Sequence, residues 1–242
     1  MKYAILGDIH ANLEALQVVL QKCQELGVEK YICIGDIVGY NADPTECLEI
    51  MRGLSPDVIV KGNHDEQAAS HEDLHGFNPQ AALAIEWTRQ KLSDEQRNWL
   101  ANLPLQRTLG TKMTLVHATL DMPEKWGYIF DSLTAEASLH YQFTQVCFFG
   151  HTHVPLAFEK FGGVTGGKYE EIRLMPGHKY LVNVCSVGQP RDGDPRAGFV
   201  TFCTDEMLVK LHRVEYDIAA TQKKILEAKL PERLAHRLSL GR

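Results

Sequence analysis

Short apolar runs rich in β-forming residues alternate along the first part of the chain with segments whose apolar residues recur at helical spacing. Between the first two runs, for example, Leu13, Leu16 and Leu20 fall on one face of a predicted helix. Strands that alternate with helices in this way predict a parallel sheet with helices packed on its faces. The predicted strands are 3–6, 31–34, 58–60, 113–116 and 146–149, and the predicted helices are 11–26, 44–51, 79–92, 93–103 and 134–141.

After His153 the pattern changes to β-rich runs separated by turns that contain glycine or proline. These runs predict a second sheet, so the expected fold class is α/β, a two-sheet β-sandwich flanked by helices. Thr204-Asp205-Glu206 is predicted to be a hairpin turn, and 216–230 a final helix. The polar and basic segment 231–242 is expected to be loosely ordered. The predicted strands of this part are 155–161, 171–175, 180–187, 198–203 and 207–214.

Polar side chains that can bind metal ions follow the five strands predicted in the first part. Because the carboxyl ends of parallel strands share one edge of a sheet, these side chains are expected to converge. Each alone could be a turn former or a helix cap, but that explanation is weak for five strand ends at once. Seven oxygen and nitrogen ligands exceed the needs of one tetrahedral ion and suit two ions that share a carboxylate. The candidate ligands are Asp8, His10, Asp36, Asn63, His117, His151 and His153.

Taken in chain order, these residues lie in motifs that resemble those of the calcineurin-like metallophosphoesterase superfamily. The motifs span residues 8 to 153, and the whole chain is similar to the small bacterial and archaeal phosphodiesterase branch. The resemblance implies the α-β-β-α fold of that superfamily and hydrolysis of a phosphate ester by in-line attack of a metal-bridging hydroxide. The motifs are Asp8-x-His10, Gly35-Asp36, Gly62-Asn63-His64-Asp65, His117 and Gly150-His151-x-His153.

The resemblance also assigns a role to each motif residue. Asp36 is expected to bridge two divalent ions, with Asp8, His10 and His153 on one ion and Asn63, His117 and His151 on the other. Four imidazoles disfavour magnesium and calcium and leave manganese, iron, zinc, cobalt or nickel. His64 follows Asn63 directly, so the two side chains cannot easily bind the same ion. His64 is therefore the expected general acid for the leaving group, with a pKa near neutrality.

The chain departs from the superfamily pattern after Asp36. The protein phosphatases carry an Asp-Arg pair where this sequence has Gly39 and Tyr40. Loss of that arginine favours a phosphodiester, which carries one negative charge, over a dianionic monoester. Replacement cations could come from Arg191 or Arg196 in a turn-rich loop, although surface salt bridges would explain either residue as well.

Several functional alternatives remain open. Within the superfamily they are a symmetrical dinucleoside tetraphosphatase and a Ser/Thr protein phosphatase. A non-catalytic scaffold is a further alternative, but the full set of motif residues is present. The expected partner is a small-molecule phosphate ester, nucleotide-derived if exposed aromatic residues such as Trp126 or Tyr128 stack on a base. A homo-oligomer is compatible with the sequence.

Composition and charge limit the possible binding partners and the cellular location of the protein. A formal net charge of −6 argues against binding of a nucleic-acid backbone. The six cysteines are scattered and are interpreted as reduced. No leader peptide or long apolar run is evident, so a cytoplasmic location without membrane association is expected. The chain is predicted to form one metallophosphoesterase domain over 1–242, with a helical insertion near 66–104 that either caps the site or only covers one sheet face.

Overall fold

Two six-stranded β-sheets pack face to face in the computed structural model, which describes residues 1–75 and 77–242. The strands are β1 (Lys2–Leu6), β2 (Lys30–Cys33), β3 (Val58–Ile59), β4 (Gln106–Leu109), β5 (Met113–Val116), β6 (Val146–Phe149), β7 (Leu156–Phe161), β8 (Gly163–Lys168), β9 (Glu171–Arg173), β10 (Lys179–Asn183), β11 (Ala197–Cys203) and β12 (Leu208–Val214). The helices are α1 (Leu13–Glu25), α2 (Pro44–Leu54), α3 (Asn63–Ala69), α4 (Pro79–Lys91), α5 (Asp94–Ala101), α6 (Ser132–Tyr141), α7 (Ile218–Glu227) and α8 (Glu232–Leu238), with a short 3₁₀ turn at Pro123–Lys125.

The strands that precede the motifs are divided between the two sheets. The first sheet has the order β3-β2-β1-β11-β12-β9, and the second has the order β4-β5-β6-β10-β7-β8. The prediction of one parallel sheet for all five motif-bearing strands is wrong, because β5 and β6 lie in the second sheet, where β6 pairs in parallel with β10. The late strands β11 and β12 return to the first sheet, beside β1. The motifs therefore reach the site from both sheets.

Alternation along β1 shows how the layers are built. Tyr3 and Ile5 point into the apolar core between the sheets, whereas Ala4 and Leu6 point outward and pack against the helical layer that contains α1. On the opposite side, α6 covers the second sheet with Leu139 and its neighbours. The order of layers is helix, sheet, sheet, helix, which confirms the predicted two-sheet sandwich flanked by helices.

Local signals explain where several elements begin and end. Asn12 caps α1 by accepting a hydrogen bond from the Ala15 amide, with 3.1 Å between nitrogen and oxygen. The predicted capping box is present at the start of α5, where Ser93 and Gln96 satisfy each other's backbone amides. The predicted hairpin is also confirmed, since 204–207 form the turn between β11 and β12.

Some elements differ from the sequence prediction. The expected loose tail is wrong, because α8 is a helix with three buried residues, Leu234, Ala235 and Leu238. The strand β8 was not predicted because its sequence contains three glycines, which are poor strand formers.

All six cysteines are free, as predicted. Across the described residues, no helix combines the length and apolar character needed to cross a bilayer.

Candidate metal centre

The loops that follow β1, β2, β3, β5 and β6 meet at one edge of the sandwich. They bring together the seven predicted ligands and His64, all of which are buried with at most 8% of each residue exposed. The ligand atoms form two compact groups, each able to hold a metal ion, and Asp36 belongs to both. The first group is Asp8, His10, Asp36 and His153, and the second is Asp36, His117 and His151.

In the first group the rings of His10 and His153 lie close to each other and to the carboxylates of Asp8 and Asp36. The Nε2 atoms of His10 and His153 are 3.1 Å apart. His153 Nε2 lies 3.2 Å from Asp8 Oδ1, and His10 Nε2 lies 3.5 Å from Asp36 Oδ2. All four ligand atoms lie within 4.8 Å of one another, close enough to bind one ion.

The second group is similarly compact and meets the first group at the Oδ2 atom of Asp36. His117 Nε2 lies 3.4 Å from Asp36 Oδ2 and 3.2 Å from His151 Nδ1. Asn63 Oδ1 is 3.2 Å from the same His117 nitrogen, so the amide oxygen faces this group as well.

The hydrogen bonds of three histidine rings leave Nε2 as the ring nitrogen that faces the ligand groups. Three ring Nδ1 atoms donate to backbone carbonyls: His10 to Val38, His117 to Ile34 and, at 2.6 Å, His153 to Gln189. A neutral imidazole that donates through Nδ1 keeps a lone pair at Nε2. The lone pairs of His10 and His153 face each other at 3.1 Å, an arrangement that is unfavourable unless a cation lies between them. Carbonyl-oriented histidines of this kind are typical of metal sites, so the residues fit divalent ions.

Burial and neighbouring charges shift the pKa values of the candidate ligands. Burial lowers the pKa of His10 and of His153, which keeps both rings in the neutral form that binds metals. Burial alone would raise the pKa of Asp36, but the neighbouring imidazoles, that of His117 first, hold it well below the usual value. The carboxylate of Asp36 in turn overcomes burial and raises the pKa of His117 to about 9, so this ring must release a proton when its Nε2 binds an ion. The negative charge of the Asp36 carboxylate therefore favours a cation between the two groups of ligands.

The backbone around the ligands leaves very little space. A Cβ on Gly62 would lie 2.0 Å from Asp36 Oδ1, and a Cβ on Gly150 would lie 2.4 Å from Asp8 Oδ2. Only glycine fits at either position without displacing a carboxylate. The glycines of these motifs therefore have a steric role at the site itself.

His64 lies beside the two groups. Its amide donates to Asp36 Oδ1 at 2.8 Å, and its ring packs against the rings of His10, Tyr40 and Phe77. Within the described residues its buried Nδ1 has no hydrogen-bond partner. Burial lowers the pKa of His64 to about 4, below the range expected from the sequence.

Asp65 was part of a recognised motif but had no predicted role. Its carboxylate accepts hydrogen bonds from the amides of Ile37 (2.9 Å), Val38 (3.3 Å) and Gly62 (3.1 Å). Burial, together with the charge of Asp36, raises the pKa of Asp65 to about 7. Asp65 therefore joins the loop after β2 to the start of α3 and positions both Asp36 and His64.

The two candidate arginines lie in different places. Arg191 lines the cleft over the metal centre, with its guanidinium carbon 5.5 Å from the ring centroid of Tyr40. Arg196 lies outside this cleft, where its Nη2 is 2.7 Å from Asp194 Oδ2 in a half-exposed ion pair. The structure thus brings Arg191 to the predicted site and leaves Arg196 in the surface salt bridge considered as its alternative.

The cleft has a volume of about 210 Å³ and is lined partly by aromatic side chains. Tyr128 stacks on His151 with ring centroids 4.3 Å apart, and Trp126 meets the ring of His117 edge-on at 5.8 Å. Phe77 and Asn78, from the segment before α4, form part of the opposite wall.

Comparisons with known proteins agree with this geometry. The sequence profile of the calcineurin-like phosphoesterase superfamily domain matches residues 1–207. A crystal structure of a metallophosphoesterase from Sphaerobacter thermophilus is similar with 39% identity and a TM-score of 0.90, covering 100% of this chain and 99% of that one. An uncharacterized protein of Methanocaldococcus jannaschii is 39% identical over an alignment of 244 positions, which covers 99% of this chain and 98% of that protein. A hypothetical protein from Pyrococcus horikoshii OT3, with 22% identity, a TM-score of 0.83 and coverage of 100% and 98%, shares the fold. The resemblance noted in the sequence is thereby confirmed, and the chain belongs to the calcineurin-like phosphoesterase superfamily.

Proposed function

We propose that this protein is a dinuclear metal-dependent phosphodiesterase acting on a small-molecule phosphate ester. One observation carries the proposal: two groups of buried histidine and aspartate ligands lie side by side and share Asp36. Two divalent ions bound there would polarise the phosphoryl oxygens and lower the pKa of an attacking water. The mixture of imidazole and carboxylate suits manganese, iron, zinc, cobalt or nickel.

The chain's own residues have distinct roles in this proposal. Asp8, His10 and His153 would hold one ion, Asn63, His117 and His151 would hold the other, and Asp36 would bind both. His64 lies just outside the ligands and lines the cleft, a position from which it can donate a proton or hydrogen bond to the leaving oxygen. Arg191 lines the same cleft and supplies a guanidinium for a phosphoryl oxygen.

The preference for a diester follows from the surroundings of His64. Gly39 packs so closely on this ring that an added Cβ would lie 2.4 Å from His64 Nδ1. No side chain fits in the place where protein phosphatases carry the aspartate of their Asp-Arg pair, and Tyr40 replaces the arginine. A single negative charge on the reacting phosphate needs fewer guanidinium contacts than a dianion.

We further propose that the helical insertion near 66–104 caps the site. Phe77, Asn78 and Ala81 belong to this segment and line the cleft over the ligands. On the opposite side, Tyr128 and Phe130 stack with ring planes 7° apart and are each more than half exposed. This aromatic pair offers a surface for a planar group, which supports a nucleotide-derived substrate.

Metal loading and two model esters test the proposal. Protein stripped with a chelator and reloaded with each candidate metal should bind two ions per chain. It should then hydrolyse bis(p-nitrophenyl) phosphate with a higher kcat/KM than p-nitrophenyl phosphate. Asp36→Asn should lower both metal content and activity, the activity by at least about 100-fold. Asp73→Asn is the matched control, because the Asp73 side chain is 87% exposed.

His64→Gln separates catalysis from metal binding. This variant should keep the metal content and lose about 10²- to 10⁴-fold in kcat, the range typical of acid–base residues.

Full activity of Asp36→Asn would refute the shared-ligand role. Protein that binds two ions yet hydrolyses neither ester would instead be a non-catalytic member of the superfamily.

A further inference from the structure

A second cavity opens directly beside the metal cleft and is larger, with a volume of about 480 Å³. The two cavities share the side chains of Tyr40, Asn78, Tyr128 and Arg191 in their walls. A molecule bound at the metal centre can therefore extend into the second cavity past Arg191.

This cavity has an unusual concentration of positive charge. Four arginines line it, whereas its described lining contains no aspartate or glutamate side chain. Walls of this charge repel a cation and attract an anion. The four arginines are Arg191, Arg233, Arg237 and Arg242.

These arginines also lack the carboxylate partners that other arginines of the chain have. Arg52, Arg97 and Arg213 each form an ion pair with a carboxylate side chain. Among the described residues, no carboxylate side chain pairs with any of the four in the cavity. Arg237 donates through Nε to an oxygen of the terminal carboxylate of Arg242, so its partner is a main-chain group and not an aspartate or glutamate.

The state of Arg191 and Arg237 is consistent with an anion site. Arg191 donates through Nη2 to Gln189 Oε1 at 2.9 Å, but its buried Nε has no partner among the described residues. Burial, together with the charges of Arg191 and Arg233, lowers the pKa of Arg237 to about 10. The positive charges of Arg191 and Arg233 disfavour the charged form of Arg237, and a multiply charged anion would offset that repulsion.

The cavity wall is built by folded structure. Leu234 and Leu238 anchor α8 in an apolar cluster with Ala84 of α4. Beyond the helix, the Gly193 amide donates to the Gly241 carbonyl at 3.0 Å, which ties the end of the chain to the loop that carries Arg191. The backbone that carries these arginines is therefore positioned before any ligand binds.

We infer that this arginine cavity binds a second phosphate group of the substrate, so that the substrate is a small molecule with at least two phosphates. The inference rests on the proposed phosphodiesterase function, since it places the reacting phosphate at the metal centre. Guanidinium groups pair with phosphate oxygens in bidentate fashion, and several such contacts suit a polyphosphate better than a single carboxylate. The enclosed volume and the net charge of −6 favour a small molecule over a nucleic-acid strand.

Calorimetry on the full-length chain tests the anion site without any metal ion. Chelator-treated protein is titrated with inorganic tripolyphosphate, and one binding site per chain is expected. Arg237→Gln and Arg233→Gln should each weaken binding at least about tenfold, as expected for the loss of a hydrogen bond between charged groups. Arg107→Gln, an exposed position on β4, removes the same charge elsewhere and should leave the affinity unchanged.

Kinetics on the metal-loaded chain test whether this site serves the substrate. The two esters are thymidine 5′-(p-nitrophenyl phosphate) and its 3′-phosphorylated derivative, which differ by one phosphate. The wild type should prefer the derivative in kcat/KM, and either arginine variant should reduce that preference about tenfold. The Arg107→Gln control should keep it.

The outcomes separate the inference from the proposed function. Unchanged tripolyphosphate affinity in both arginine variants, or an unchanged substrate preference, overturns the inference even if both esters are hydrolysed. Tripolyphosphate binding that depends on the arginines, without hydrolysis of either ester, refutes the proposed function but leaves the anion site in place. Two variants are used so that a folding defect in one does not decide the result.

Discussion

Asp8, His10, Asp36, His151 and His153 share a left-handed backbone conformation, with φ between 50° and 64°. Such a conformation costs on the order of 1–3 kcal/mol for a residue other than glycine and persists only where surrounding contacts hold it. At this site the loops hold one another: the amide of His10 donates to the Asp36 carbonyl at 2.9 Å, and that of Asp8 to the Gly35 carbonyl at 3.1 Å. The strained backbone turns the ligand side chains inward, toward common points.

Gly150→Ala should disturb this arrangement without removing any ligand. The added Cβ would lie 2.4 Å from Asp8 Oδ2 and 2.8 Å from Ile34 Cδ1, so the Asp8 carboxylate must move. We expect metal affinity to fall by about 10- to 100-fold, the range seen when the support of a ligand is lost. Metal titration calorimetry measures the change.

Gly163→Ala is the matched control for that substitution. A Cβ at Gly163 would meet no atom within 4 Å, so its metal affinity should equal that of the wild type. Unaltered affinity in Gly150→Ala as well would show that Asp8 tolerates displacement and that the tight backbone is not required for metal binding.

Among the secondary-structure elements, the sequence predicted best the strands in which a short apolar run is followed directly by a metal-binding motif. The strands before Asp8, Asp36, His117 and His151 were predicted because each is a short apolar run ending at polar residues. Sheet membership was not predictable in this way, since pairing depends on residues far apart in the chain. Left-handed φ values at aspartate and histidine were equally out of reach, because these residue types favour ordinary turns as well.

The C-terminal helix shows the opposite case, in which composition misled. The segment 231–242 is polar and basic, which suggested a loose tail, but Leu234 and Leu238 are spaced to place both on one buried face. A seven-residue helix carries too little periodic signal to be distinguished from a tail. Its structure became evident only from its packing against α7 and α4.

Leu238→Ala should therefore release α8 from the rest of the fold. Leu238 is 2% exposed, and removal of a buried leucine side chain costs about 2–5 kcal/mol. We expect a lower melting temperature and faster hydrogen exchange of the α8 amides. Tripolyphosphate binding should also weaken, although every arginine of the cavity is retained.

Leu226→Ala controls for the loss of a leucine side chain on a neighbouring helix. Leu226 is 47% exposed, so its truncation should change the free energy of unfolding by less than about 0.5 kcal/mol. If Leu238→Ala left both hydrogen exchange and anion binding unchanged, the positions of the arginines would not depend on the packing of α8.

For the molecule as a whole, the candidate metal centre joins the two sheets. Asp8, Asp36 and Asn63 follow strands of the first sheet, whereas His117 and His151 follow strands of the second. Because the ligands are far apart in the sequence, the unfolded chain cannot present them together. Ions that bind the folded chain alone must therefore stabilise it.

Metal removal should consequently lower the melting temperature. Each ion at a free concentration 100 times its Kd adds about 2.7 kcal/mol to the free energy of unfolding, which corresponds to about 5–10 °C for a chain of this size. Differential scanning calorimetry of chelator-treated and manganese-reloaded protein measures this increment. In Asp36→Asn most of the increment should disappear, because both ions lose a ligand, whereas Asp73→Asn should retain it. Asp36 is the residue that both groups of ligands contain. An equal increment in Asp36→Asn would therefore mean that the ions bind elsewhere.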